Sequence, residues 1–117
     1  MLGPVFVFGS NLAGRHGKGA ALCAVREHGA IYGQGEGAQG NSYAIPTKDR
    51  LLHTLPLREI ANNIRRFLQY ANDHPETTFQ VTRVGCGLAG WRDADISPYF
   101  LDAPSNCLLP DGWRGQK

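Results

Sequence analysis

The chain has 117 residues, 42% apolar and 19% charged, with a formal net charge of +2. That length suits one domain, 1–117, with a real core. The near-neutral balance marks neither a nucleic-acid binder nor a membrane-surface binder, and no apolar run approaches the roughly 20 residues of a membrane span.

The segment from Leu2 to Phe8 is apolar but short. It lacks a basic leader and a cleavage site, so no secretory signal is expected. Cysteines at 23, 86 and 107 are odd in number and form no disulfide framework, which points to a reducing, cytoplasmic setting. Neither CxxC nor HExxH occurs, so spacing calls for no metal and no cofactor. The outlier is glycine. Twelve of its fifteen residues cluster in three places, 9–19, 29–40 and 85–90, where backbone takes special conformations or is closely approached.

In chain order, Pro4–Phe8 is a short β-branched and aromatic run that predicts a strand buried on both faces. Gly19–His28 predicts an alanine-rich helix, capped by Gly29. Tyr32–Asn41 reads as a loop, and Ser42–Pro46 as a second strand stopped by Pro46. Leu57–Ala71 carries apolar residues at helical spacing, including Leu57, Ile60, Ile64, Phe67 and Leu68, with Pro75 past its end. Phe79–Val84 predicts a third strand and Asp93–Leu101 a short helix with Pro98 in its first turn. Asn106–Leu109 predicts a fourth strand, and the tail after Pro110 is expected to be loose. Strands alternating with helices predict an α/β fold with a mostly parallel sheet in the order 2-1-3-4. Ligands are then expected outside the carboxyl ends of strands 1 and 3.

Three segments carry chemistry. Gly9-Ser10-Asn11 through Gly14, His16, Gly17, Lys18, Gly19 and Ala20 joins a buried strand to a helix start. There, unpaired N–H groups and the helix dipole suit a phosphate. Arg15, His16 and Lys18 add charge or hydrogen bonds. The run is neither a Walker A loop, because Gly19 stands where Ser or Thr is needed, nor a dinucleotide fingerprint. A tight strand-to-helix turn is the competing reading. The second segment, Gly33–Asp49, contains Gln39, Gly40 and Ser42. It is either a surface loop feeding a strand or a flap over a ligand, and Thr47 and Lys48 stand at the sheet's carboxyl end. In the third, Gly85, Cys86, Gly87, Leu88, Ala89 and Gly90 form a second anion nest before a helix. Trp91 could stack on a ring or pack on the rim, and Cys86 could be a nucleophile or a small buried residue.

Together these segments resemble the macrodomain superfamily. They comprise Asn-x-x-Gly-x-x-Gly-x-Gly-Ala after a first strand, Tyr-Ala-Ile-Pro-Thr-Lys, and Arg-Val-Gly-Cys-Gly-Leu before a short helix. The similarity spans roughly residues 4–109 and is greatest to the branch of the terminal ADP-ribose protein glycohydrolase. It extends to small bacterial and phage macro-like proteins with the same opening. It implies a three-layer α/β/α fold. It also implies binding of ADP-ribose or a related NAD-derived nucleotide, free or carried on an ADP-ribosylated macromolecule, with hydrolysis of an ADP-ribosyl linkage or a non-catalytic sensor role as the alternatives. By the same resemblance Asn11 would sit near the distal ribose, Gly14–Gly19 and Gly85–Ala89 would wrap the diphosphate, and Lys48 would attack the anomeric carbon. The family's catalytic Asp is replaced by Ala89; Asp93 stands four residues further on and Asp49 stands beside Lys48. The chain is also shorter than most macrodomains and is expected to lack their N-terminal strand.

Overall fold

In the computed structural model, which describes residues 3–114, five strands form one mixed sheet. They are β1 (Val5–Asn11), β2 (Gly37–Gln39), β3 (Ser42–Lys48), β4 (Phe79–Val81) and β5 (Cys107–Leu108). The order across the sheet is β2-β3-β1-β4-β5. It departs from the expected four-strand order by an added edge strand. Gly37–Gln39, read as loop because of its glycine content, pairs antiparallel with Ser42–Ala44. The remaining pairings are parallel.

β1 lies between β3 and β4 and feeds its alternate side chains to two cores. Phe8 joins Ala44 and the small residues Ala21 and Ala24 of helix α1 (Gly19–Glu27). Val7 joins Tyr43, Ile45 and Phe79 beneath helix α2 (Leu57–Asp73). Ile60, Ile64 and Phe67 of α2 are fully buried in that second core, which is the outcome of its 3.6-residue apolar period.

Element ends differ from the expected ones for local reasons. β1 runs on through Gly9, Ser10 and Asn11 because these still pair with β3, across an irregularity between Ser10 and Asn11. β3 passes through Pro46 to Lys48. β2 covers only its first three residues, so no strand on that edge requires a Pro46 N–H, and the Pro46 carbonyl accepts from Asn63 Nδ2 at 2.9 Å. β4 stops at Val81, after which both the Thr82 amide and its hydroxyl donate to Val7 O. The last helix is one α-turn, α3 (Asp93–Ile96), followed by a 3-10 turn, Ser97–Phe100, with Pro98 near its start.

The segment after Pro110 is pinned through Arg114; residues 115–117 lie outside the described range. Trp113 is buried and its Nε1 donates to Asp93. Arg114 donates to the carbonyls of Ala103, Pro104 and Cys107. Asn106 ties the end of α2 to the start of β4, its Nδ2 donating to Ala71 O, His74 O and Thr77 O at 2.9–3.0 Å. Asn106→Ala leaves Thr77 O without a donor among the described residues, while Ala71 O and His74 O keep the amides of His74 and Thr77; it is expected to cost about 1–3 kcal/mol, read as a lower urea midpoint at unchanged m-value.

Candidate functional site

A cleft of about 720 Å³ opens at the carboxyl ends of β1, β3 and β4. Its first wall is the β1–α1 loop and the start of α1. Gly9, Ser10, Asn11, Gly17, Lys18, Gly19 and Ala20 of the expected set line it, joined by Arg15 and Ala21. The opposite wall contains Gly85, Gly87, Leu88 and Ala89, with Thr82, Arg83 and Val84 added. Thr47 and Lys48 enter from the end of β3, and Tyr32 and Leu52 complete the lining.

Backbone donors stand on both walls. α1 has no side-chain N-cap and no acidic residue in its first turn. Among the described residues the N–H groups of Gly17, Lys18, Gly19, Ala20 and Ala21 have no acceptor, nor do those of Gly85, Gly87, Leu88 and Ala89. The lining includes Arg15, Lys18, Lys48 and Arg83 but no carboxylate. Arg83 is held by a two-point ion pair to Asp93 at 2.9 Å. No described carboxylate lies within 4.0 Å of Arg15, Lys18 or Lys48. A concave site with unpartnered backbone donors on both walls and excess positive charge suits a phosphorylated ligand.

The second glycine cluster supports this site from outside. The loop lies against the first wall: Gly33 N donates to Gly14 O at 2.8 Å, and Ser10 Oγ donates to Gly35 O. A Cβ at Gly35 would stand 2.4 Å from Asn11 O, so only hydrogen fits there. Five residues of the expected ligand set are consequently spent on support and lie outside the lining. Gly14 packs on the Gly33–Gln34 backbone. His16 is buried, with Nε2 against Gln34 O at 3.0 Å. Gln39 stitches Ile31, Gln34 and Gly37 together. Gly40 turns tightly against Gly29, and Ser42 Oγ donates to Gln39 O. The flap reading of this segment gives way to a buttress.

On the third segment, Cys86, Gly90 and Trp91 are also outside the lining. Cys86 and Trp91 pack against the α2-side core, and Gly90 closes the turn with its N–H on Gly87 O. Burial, aided by Asp93, pushes the Cys86 thiol up to about 11, so a thiolate nucleophile has no support at neutral pH. Asn11 lines the cleft, but its amide is engaged: Nδ2 donates to Arg15 O and Oδ1 accepts from Arg15 N. The two carboxylates singled out in the sequence are engaged as well. Asp49 Oδ1 accepts from Leu51 N and His53 N. Asp93 is held below the ordinary carboxylate range by Arg83, with Trp113 adding to the effect.

Sequence reasoning missed Tyr32 and Leu52 because both are apolar residues in loops. Their signal is exposure, and that needs coordinates. Away from the cleft, Cys23, Glu27 and His28 on and just after α1 bring ligand-type atoms within 4.8 Å of one another. The His28 ring is stacked on Phe6 at 4.2 Å.

Comparison with known proteins finds no matching family model, no matching curated protein and no matching solved structure. The likeness to macrodomains therefore rests on the motifs themselves.

Two outcomes follow from this geometry. Gly35→Ala forces backbone apart and is expected to destabilise by about 1–3 kcal/mol, whereas Gly33→Ala meets open space but a positive φ of 100° and should cost about 1 kcal/mol; urea unfolding separates them. The Cys86 and Cys107 thiols both stand at about 11 in the fold, against an ordinary 9.0. The unfolded chain thus loses these protons first. Their contribution is complete below about pH 9 and is lost as pH rises towards 11. In reducing buffer, Cys86→Ala should flatten part of the decline in unfolding free energy over that window.

Proposed function

We propose that the cleft binds ADP-ribose or a related NAD-derived nucleotide, within a three-layer, macrodomain-like α/β/α frame. The observation that carries this reading is the pair of unpartnered donor sets on the two walls, Gly17–Ala21 and Gly85, Gly87, Leu88 and Ala89, around a cleft lined by cations and no carboxylate. A diphosphate has oxygens for both walls at once, whereas a single phosphate engages one. The cleft also falls within the roughly 300–1,000 Å³ usual for small-molecule sites. The motif resemblance supplies the sugar nucleotide; the physical reading supplies the diphosphate.

Binding without turnover fits the carboxylates best. Asp49 and Asp93 are committed to the turn and the ion pair, and Ala89 offers no acid. One observation favours hydrolysis of an ADP-ribosyl linkage instead. Lys48 is a cleft amine paired in register with Asn11, as a nucleophile for an anomeric carbon would need to be. A proton carrier would then have to come from water or the ligand.

Isothermal titration calorimetry with ADP-ribose, AMP and NAD tests the binding. Micromolar affinity for ADP-ribose, about −8 kcal/mol, and a clear margin over AMP are expected. Failure of ADP-ribose to bind at millimolar concentration ends the proposal. Lys18→Ala should weaken ADP-ribose roughly tenfold, and less so at high salt. Turnover of an ADP-ribosylated substrate that vanishes in Lys48→Ala, with binding retained, selects the hydrolase. Asn11→Ala is the poorer probe, because it also frees the Arg15 backbone.

A further inference from the structure

Leu52 is the one non-glycine residue with positive φ among the described residues, at 69°. A side chain with a Cβ adopts that left-handed backbone only at a cost, and glycine or asparagine would sit there more cheaply. The turn around it is over-determined. Leu52 N donates to Asp49 O at 3.1 Å, Asp49 Oδ1 holds the amides on either side, and Lys48 bridges to Thr54. Thr54 Oγ1 then donates to Ala89 O at 2.8 Å and fixes the whole turn to the second wall of the cleft. The effect of this scaffolding is to hold a leucine, 41% exposed, in the lining of the cleft. Glycine or asparagine would keep every one of these bonds without the strain, so the bonds explain the turn and leave the leucine side chain unexplained. Strain held in place at a site is a reason to look for what it contacts.

Leu88 is a second exposed apolar side chain on the same wall, and its Cδ1 reaches towards Gly19 across the cleft. Tyr32, the remaining large exposed apolar group in the lining, belongs to the other side of the sheet. It packs near His16, which contacts Phe8 on the α1 side, whereas Leu52 precedes Leu55 in the α2-side core. The two donor walls therefore have an aromatic group on one flank and Leu52 on the other.

We propose that Leu52 is a specificity-determining residue that contacts a neutral, apolar ring carried on the distal ribose of the ligand. The assignment of that end rests on the ADP-ribose reading above, in which Lys48, four residues before Leu52, meets the distal ribose. The preference for a neutral group follows from Lys48 and Arg15, which line the cleft without a carboxylate partner within 4.0 Å among the described residues and disfavour a cation there.

Calorimetry with ADP-ribose, NADH and NAD tests this on one scaffold. NADH carries a neutral ring on the distal ribose, NAD a cationic one and ADP-ribose none. Wild-type protein should bind NADH about tenfold more tightly than ADP-ribose, and NAD more weakly than NADH. Leu52→Gly removes the side chain and relieves the backbone. It should erase the NADH margin and hold or raise the melting temperature, because glycine accepts the left-handed backbone. Leu52→Asn, which tolerates the left-handed conformation, should also erase the margin and guards against a folding artefact. Equal wild-type affinities for NADH and ADP-ribose would overturn the inference, as would a margin that survives both variants. Equal weakening of both ligands would place Leu52 against the adenine and overturn it too. If ADP-ribose binds, the nucleotide reading survives each of these failures; if no probe binds, both fall.

Discussion

The cleft depends on one contact between backbones. The loop at Gly33–Gly37 lies directly on the β1–α1 loop, with Gly35 so close to Asn11 O that a methyl group cannot enter. That approach lets Gly33 N reach Gly14 O and Ser10 Oγ reach Gly35 O. It also seals His16 beneath the loop. With the chain held from behind, the start of α1 can leave its first amides without partners on the cleft side. An uncapped helix start is a liability in an ordinary fold. Here the residues that would cap it are replaced by Lys18 and glycines, so the energetic cost falls where an anion can offset it.

The opposite wall is organised by charge rather than by close approach. Asp93 accepts both nitrogens of a fork from Arg83 and a further bond from the Trp113 indole. It therefore joins the end of β4, the start of α3 and the last described residues. The ion pair is well exposed and contributes little to stability on its own. Its importance is geometric: it fixes the guanidinium at the cleft's edge, with the Asp93 carboxylate outside the lining.

Much of the fold was legible because period and punctuation agree. The α2 stripe from Leu57 to Ala71 and the apolar run Val5–Phe8 leave little choice, and the glycine clusters after β1 and β4 mark the cleft. Glycine-rich composition by itself favours a loop, and a short strand or a close backbone contact inside such a run leaves no signal in sequence. Gly37 opens a strand, while Gly14, Gly35 and Gly40 serve backbone packing. Pro46 signals a strand end in sequence, but β2 covers only Ser42–Ala44, so its missing N–H is harmless there. Within the site, the glycines and Lys48 could be read from motif spacing. Tyr32, Leu52 and Arg83 could not, because their placement follows from a turn, an ion pair and exposure that join residues far apart in sequence.

The unexpected edge strand has a consequence for how the molecule meets its neighbours. β3 is seven residues long and buried along nearly its whole length. Without β2 it would present a row of open amides and carbonyls, which is the template on which one chain recruits another. The strand that covers it is only three residues long and begins at a glycine; the far edge, β5, is two residues long. Both borders of the sheet are therefore stubs. The glycine-rich segment that braces the cleft also ends the sheet, so it guards against strand-to-strand self-association.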